Sequence, residues 1–289
     1  MKSSLLSVFA IFSLFLFSCK EDAPVVTPAS EITTNSELLN IKTLDGYQSL
    51  AITSTKPWTA SSAAKWCTLS DSVGTGNKSL VVQCENNLSG VNRQANITIT
   101  AGDQSKTVVV KQSGGTVLLD ENFNDNSKSW SVLQNDSMSF DVLDGFYKMT
   151  SGSKSYSYYV GSKSLISNYT GSYMITYKYK YVAGKNGFGF QFGKKDNDNY
   201  YILFLYPSGS YRVYKQQANV DTLLLSGTST SVTYENSVTL LKNGSFCTLY
   251  VNDTKVDSFD FSMPFGAYVN FYLSPITQVN VDSYKIVQF

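Results

Sequence analysis

Tyr200, Tyr206, Tyr211, Arg212 and Tyr214 fall close together in the second half of the chain. A tyrosine ring offers a flat apolar face and a hydroxyl tip, so it can stack on a sugar ring while its oxygen stays hydrogen-bonded. Arg212 among them carries forked N–H donors suited to hydroxyl groups. The same rings could equally fill a core. In the stretch Ser172 to Tyr181, the odd positions put Tyr173, Ile175, Tyr177, Tyr179 and Tyr181 on one face, with Met174, Thr176 and two lysines on the other. From Tyr200 to Tyr206 both faces are apolar or aromatic, the mark of a strand covered or occupied on both sides. Phe188, Phe190 and Phe192 are expected inside. The chain has 20 tyrosines and all but Tyr47 follow Gly115, more hydroxyl-bearing rings than one core needs, so a surface cluster is expected as well.

Acidic residues offer a second chemistry. Asp120 and Glu121 lie on the expected first strand of the second half and Asp282 on the last. Pairing of the first strand with the last would let the three acids converge on a calcium ion, a cation that takes about six to eight oxygens. Asp196, Asn197 and Asp198 form another oxygen-rich loop, although Asp and Asn also favour turns for their own reasons. Glycoside hydrolysis needs two facing carboxylates, and Glu121 and Glu235 are the only glutamates after Gln112. With no histidine in the chain, Ser-His-Asp and Cys-His nucleophiles and His-ligated zinc are excluded. A net charge of +1 with no Lys/Arg cluster argues against a nucleic-acid binder. Binding is therefore expected rather than catalysis; a lyase with a tyrosine base is the nearest alternative, with no single tyrosine marked for it.

The first residues concern location. Met1-Lys2, an apolar run from Leu5 to Phe17 and then Ser18-Cys19 describe a secretory signal, too short and wrongly flanked for a membrane span. Leu16-Phe17-Ser18-Cys19 resembles the lipobox of bacterial lipoproteins, which implies cleavage before Cys19 and acylation of its thiol, a durable lipid anchor when several chains insert. Glu21 and Asp22 resemble the signal that sends Bacteroidetes lipoproteins to the outer face of the outer membrane, so a cell-surface position is expected. Cys67 and Cys84 remain as a potential pair, either disulfide-bonded or two buried thiols on neighbouring strands, and Cys247 stands apart.

These residues need elements to hold them. Residues 1–19 are the expected signal and lipobox, and 20–37, rich in Pro, Ser and Thr without periodicity, a flexible spacer. From 38 to 114 short alternating runs such as Leu80-Val82-Cys84 and Ile97-Ile99 are parted by turn residues at Asp45-Gly46, Ser89-Gly90 and Gly102-Asp103, which predicts a small β-sandwich. Gly114-Gly115 is the expected hinge. Residues 115–289 follow the same grammar with longer strands. No segment shows a sustained helical period, so the fold class is all-β.

The order Pro57-Trp58-Thr59-Ala60-Ser61-Ser62, Lys65-Trp66-Cys67-Thr68-Leu69-Ser70, Asn86 to Ala95 and Val108-Val109-Val110-Lys111-Gln112-Ser113-Gly114 resembles a BACON domain, with Cys67 where that family usually has leucine. The resemblance implies an immunoglobulin-like sandwich that either binds carbohydrate or spaces a partner domain off a membrane; Trp58 and Trp66 would be a sugar platform or packing. Residues 115–289, with Asp120-Glu121-Asn122-Phe123, Gly187-Phe188-Gly189-Phe190 and Val279-Asn280-Val281-Asp282, are similar to the concanavalin A-like lectin/glucanase jelly roll, whose relatives hold glycans on one concave sheet. Together these imply a surface-anchored lipoprotein that captures polysaccharide or oligosaccharide, alongside other glycan-uptake proteins. A jelly-roll glycoside hydrolase or lyase, and a structural or adhesive spacer, are the alternatives.

Overall fold

Period-two alternation of apolar and polar side chains runs through strands such as Lys78–Cys84, Arg93–Ala101 and Thr277–Gln288. The computed structural model describes residues 32–152, 158–161, 171–261 and 270–289, with backbone alone for 158–161. Cys19 and the rest of the expected signal lie outside the described residues.

The first sandwich is built from β1 (Ile32–Thr34), β2 (Leu38–Ile41), β3 (Tyr47–Ser54), β4 (Trp58–Ser62), β5 (Cys67–Leu69), β6 (Val73–Gly74), β7 (Lys78–Cys84), β8 (Arg93–Ala101) and β9 (Gln104–Gln112). They form two sheets, β1-β3-β7-β5 and β2-β9-β8-β4-β6. Inward residues of both sheets, among them Leu50, Leu80, Val82, Ile97, Ile99, Val108 and Val110, make one core. The expected spacer ends earlier than residue 37: Ile32–Thr34 pair with Thr34↔Ile52 and Ile32↔Ser54, and Ile32 is 2% exposed. Ile32 enters the core, and Asn35 exchanges hydrogen bonds with the Ala51 backbone at 3.1 and 2.8 Å, so the segment extends the edge of β3.

The second sandwich comprises β10 (Thr116–Glu121), β11 (Leu133–Gln134), β12 (Met138–Leu143), β13 (Phe146–Ser151), β14 (Tyr158–Gly161), β15 (Tyr173–Ala183), β16 (Phe188–Asp196), β17 (Asn199–Leu205), β18 (Ser210–Gln217), β19 (Val220–Thr228), β20 (Glu235–Asn243), β21 (Phe246–Val251), β22 (Thr254–Asp260), β23 (Asn270–Leu273) and β24 (Thr277–Gln288). A nine-stranded back sheet runs β11-β12-β13-β24-β15-β20-β21-β22, with β10 on β24, and a six-stranded front sheet runs β14-β23-β16-β17-β18-β19. The first and last strands pair as expected. Asp144-Gly145, Ala218-Asn219 and Asn252-Asp253 each close a hairpin with both residues at positive φ, the turn hand that matches strand twist.

Rings fill the space between these sheets. Tyr173, Tyr177, Tyr179 and Tyr181 of β15 point inward with Phe188, Phe190, Phe192, Phe271 and Tyr284. Pairs such as Tyr177–Phe190, at 4.8 Å between centroids, and Phe190–Phe271, at 5.7 Å, are tilted rather than face to face, as ring quadrupoles prefer. The β15 stripe is thus core. The core hydroxyls are handled unequally: Tyr181 of β15 donates to the Leu205 carbonyl and accepts from the Phe188 N–H at 2.8 Å, whereas Tyr284 of β24 finds no partner among the described residues.

The two sandwiches touch. Leu44 and Leu88 of the first pack with Met174, Leu241, Val287, Tyr250 and Phe289 of the second, and Asn243 Nδ2 donates to Asp45 Oδ2 at 2.7 Å. The Gly114-Gly115 junction is tight: a Cβ at Gly114 would lie 2.1 Å from the Val91 backbone, and one at Gly115 2.5 Å from the Gln288 carbonyl oxygen. It is a close-packed crossing in place of the expected hinge.

The hydroxyl asymmetry predicts opposite effects of the same deletion. Tyr181→Phe strands a carbonyl and an N–H and should cost about 1–3 kcal/mol, while Tyr284→Phe removes an unpaired buried hydroxyl and should stabilise or be neutral; urea unfolding reads both. Burial also holds the phenols of Tyr147, Tyr173, Tyr177, Tyr179, Tyr181 and Tyr284 above the ordinary value. Their folded-state pKa lies above the unfolded value of about 10, so the stabilisation is complete below that pH and fades as pH rises past it. Tyrosinate absorbance and circular dichroism should therefore change together in one cooperative alkaline transition. Ionisation of these rings with the sheet signal intact would contradict it.

Candidate functional site

The outer face of the front sheet carries rings that the core has no room for. On β17, Tyr201, Leu203 and Leu205 point inward, leaving Tyr200, Ile202 and Phe204 outside. Register then sets Ile202 opposite Tyr214 and Phe204 opposite Arg212 on β18, and Gly189 of β16 between Phe204 and Tyr272 of β23. Gly189 is required here because a Cβ would fall 2.8 Å from Tyr272 Cβ and 2.9 Å from the Phe204 ring. Gly187 does the same for Tyr206, whose ring would meet its Cβ at 2.8 Å. Tyr206 itself is placed by the β17–β18 hairpin, where Gly209 N donates to the Tyr206 carbonyl and Tyr206 N to the Ser210 carbonyl, both at 3.0 Å.

The result is a shallow cradle of about 330 Å³ lined by Tyr200, Ile202, Phe204, Tyr206, Tyr214, Tyr272 and Asp221. Phe204 is its hub, edge-on to Tyr272 at 5.0 Å and to Tyr214 at 6.2 Å, with Tyr206 at 6.4 Å. Arg212 stands beside it, its guanidinium 5.7 Å from the Tyr206 centroid. Partial burial pushes the Tyr206 phenol up, so its hydroxyl stays protonated and able to donate. Arg212 is solvent-exposed, and the hydroxyls of Tyr214 and Tyr206 favour its charge. The cradle thus presents apolar ring surface bordered by hydroxyls, one cation and one carboxylate.

Of the sequence-chosen residues, Tyr200, Tyr206 and Tyr214 line the cradle and Arg212 borders it. Tyr211 does not belong there. It alternates with Arg212, so it points into the core, 6% exposed, with its hydroxyl donating to Asp257 Oδ2 at 3.3 Å. Phe204 and Asp221 were missed, although Phe204 shares the parity of Tyr200. Tyr272 comes from a distant strand, and no local pattern in the sequence announces it.

The acids expected to hold calcium do not converge. Glu121 and Asp120 sit on opposite faces of β10: Glu121 is 3% exposed, while Asp120 faces Lys285 at 3.4 Å. Glu121 Oε1 accepts the N–H groups of Asn122 and Phe123 at 2.9 and 2.8 Å, and Oε2 accepts Trp130 Nε1 at 2.8 Å. Asp282 is exposed on the outer face of the back sheet, in a polar hollow with Lys178, Ser237 and Asn280. No group of three or more His, Cys, Asp or Glu suited to a metal occurs among the described residues. Asp196 is spent on its turn, accepting from Asp198 N at 2.9 Å and Asn199 Nδ2 at 2.7 Å, which holds its carboxyl below the usual range. Glu235 pairs with Lys180 on the back sheet, so among the described residues Asp221 is the lone carboxylate lining the cradle.

Neither tryptophan of the first sandwich forms an open platform. Trp58 is 2% exposed, donates Nε1 to the Gly76 carbonyl at 3.0 Å, and lies against Gly74. Trp66 is half-buried with the Arg93 guanidinium 4.2 Å from its ring centroid.

Residues 56–113 match the model of the BACON family, described as a proposed binding domain, N-terminal. No curated protein matches the chain. Among solved structures, a Bacillus subtilis protein of unknown function with a galectin-like fold is 9% identical with a TM-score of 0.50, over 60% of this chain and 96% of that one. Carbohydrate binding module CBM66 from Bacillus subtilis is 12% identical with a TM-score of 0.41, over 61% and 96%. A Bacteroides ovatus GH5 xyloglucanase in complex with a XXXG heptasaccharide is 21% identical with a TM-score of 0.28; 37% of this chain is covered, and it spans 23% of that chain. The likeness is one of fold, and the second sandwich is a galectin-like jelly roll.

Glu121 generates a stability prediction. Glu121→Ala leaves the Trp130 indole N–H and the Phe123 amide unpaired in the interior and should cost about 3 kcal/mol or more in urea unfolding. A loss below about 1 kcal/mol would show that water replaces the carboxylate.

Proposed function

We propose that the protein binds a carbohydrate, an oligosaccharide or a segment of a polysaccharide, on the outer face of the front sheet, without turning it over. The observation that carries this reading is the ring cradle itself. Aromatic side chains that a sheet does not need inside cluster on its outer face, over glycines that leave room for them. Ring faces bordered by Arg212, Asp221 and tyrosine hydroxyls match the alternating C–H and O–H surfaces of a sugar. Catalysis on a glycosidic bond would call for a second carboxylate near Asp221.

The N-terminal sequence adds where this binding takes place. Export, acylation at Cys19 and display on the outer face of the outer membrane would present the cradle to extracellular glycans, together with other uptake proteins. The first sandwich, with Trp58 buried and Trp66 covered by Arg93, then serves as a spacer and support.

A panel of plant and host polysaccharides tested by affinity electrophoresis and calorimetry, with product analysis in parallel, checks the proposal. Binding without product is expected, and Tyr206→Ala and Tyr272→Ala should each weaken it at least tenfold, about 1.4 kcal/mol, with the fold retained. Product release would replace the binder by a hydrolase or lyase. Silence on every glycan would leave a spacer or adhesin.

A further inference from the structure

We infer that Cys67 and Cys84 form a built site for a cross-strand disulfide that ties the edge strand β5 to β7. The two residues are directly opposite in an antiparallel register. Neighbouring bonds identify the kind of pair. Glu85 N donates to the Trp66 carbonyl at 2.9 Å one position outward, whereas Cys67 N turns to the Ala64 carbonyl at 3.1 Å and Cys84 N to the Gly46 carbonyl at 2.9 Å, away from each other. Cys67 and Cys84 are therefore a non-hydrogen-bonded pair, in which Cα atoms lie about 4.5 Å apart. That separation is inside the roughly 4.4–6.8 Å span a disulfide bridges without backbone movement.

Their surroundings fit the same reading. Cys67 is 1% exposed and Cys84 4%, and both side chains enter the core of the first sandwich. Each thiol is the other's hydrogen-bond partner, which holds Cys67 down at about 7 and pushes Cys84 up, with Arg93 nearby favouring the thiolate. All three cysteines among the described residues are free and buried in this structure; Cys247 lies apart in the second sandwich, where burial pushes its thiol up. Access comes from topology. β5 is three residues long and lies at the end of its sheet, so it can open locally while β7, flanked by β3, stays in place.

The oxidant is a protein or small-molecule disulfide. The Cys67 thiolate attacks one of its sulfurs, forming a mixed disulfide and releasing the first reduced thiol. Cys84 loses its proton to the medium and its sulfur displaces the second, leaving the Cys67–Cys84 bond. Two protein thiols are oxidised, one disulfide is reduced to two thiols, and the protons released protonate the leaving thiolates. The product anchors β5 next to the Trp66–Arg93 stack.

Peptide mapping of the full chain tests this. The folded protein is incubated with oxidised glutathione, alkylated in denaturant and digested with trypsin. Cleavage after Lys65, Lys78 and Arg93 puts Cys67 on Trp66–Lys78 and Cys84 on Ser79–Arg93. The expected result is these two peptides joined, lighter than their sum by two hydrogen atoms and separated by reductant, with Cys247 alkylated. Recovery of both peptides alkylated, or of Cys67 stopped at the glutathione adduct, overturns the assignment. As an independent reading, reductant should lower the unfolding midpoint of the oxidised wild-type chain and leave Cys84→Ser unmoved; an unchanged midpoint in the wild type also overturns it.

Discussion

The limited space between the two sheets of the larger sandwich governs its surface. Face-to-face sheets stand about 10 Å apart, and here that layer is already taken by Tyr177, Tyr179, Phe188, Phe190, Phe192, Phe271 and Tyr284, all but inaccessible to solvent. Strands β17 and β18 are aromatic at both parities, so their second set of rings can only go outward. Once outside, the rings need a floor without side chains, which Gly187 and Gly189 supply. The cradle is in this sense the overflow of a filled interior, and its shape is set by strand register together with the β17–β18 turn that places Tyr206.

Burial decides the role of the acids as firmly as it decides that of the rings. A carboxylate taken out of water must be met by donors. Glu121 is met by the indole of Trp130 and two backbone amides, one of them on Phe123, which is held at φ 54°. Those donors occupy the oxygens that a cation would need. The same group fixes the chain between β10 and Trp130, whose ring packs 5.0 Å from Phe123 and 6.0 Å from Phe271. An acid that reads as a ligand in the sequence is thus a structural clamp.

Alternation and turn chemistry made the all-β class, the boundary near Gly114-Gly115 and the turn at Gly102-Asp103 legible from residues alone, because each depends on near neighbours. Tyr200, Tyr206 and Tyr214 stood out for another reason, a local density of rings around Arg212. Tyr211 was misplaced because its proximity to Arg212 was given more weight than parity, which sends adjacent residues to opposite faces. Tyr272 reaches the cradle only through the pairing of β16 with β23, a long-range fact with no local trace. Ile32–Thr34 likewise depend on a vacant edge of β3 that the segment itself does not reveal.

The packed junction has a consequence for valency. Leu44 and Leu88 rest on Met174, Leu241 and Val287, which project from the outer face of the back sheet, while the cradle lies on the outer face of the front sheet. The smaller sandwich therefore sits behind the larger one, and the tight crossing at Gly114-Gly115 gives it no swivel by which to come round. Among the described residues, the cradle therefore faces away from the smaller sandwich. On the proposed reading, a repeating polymer would gain avidity only through several copies engaging it side by side.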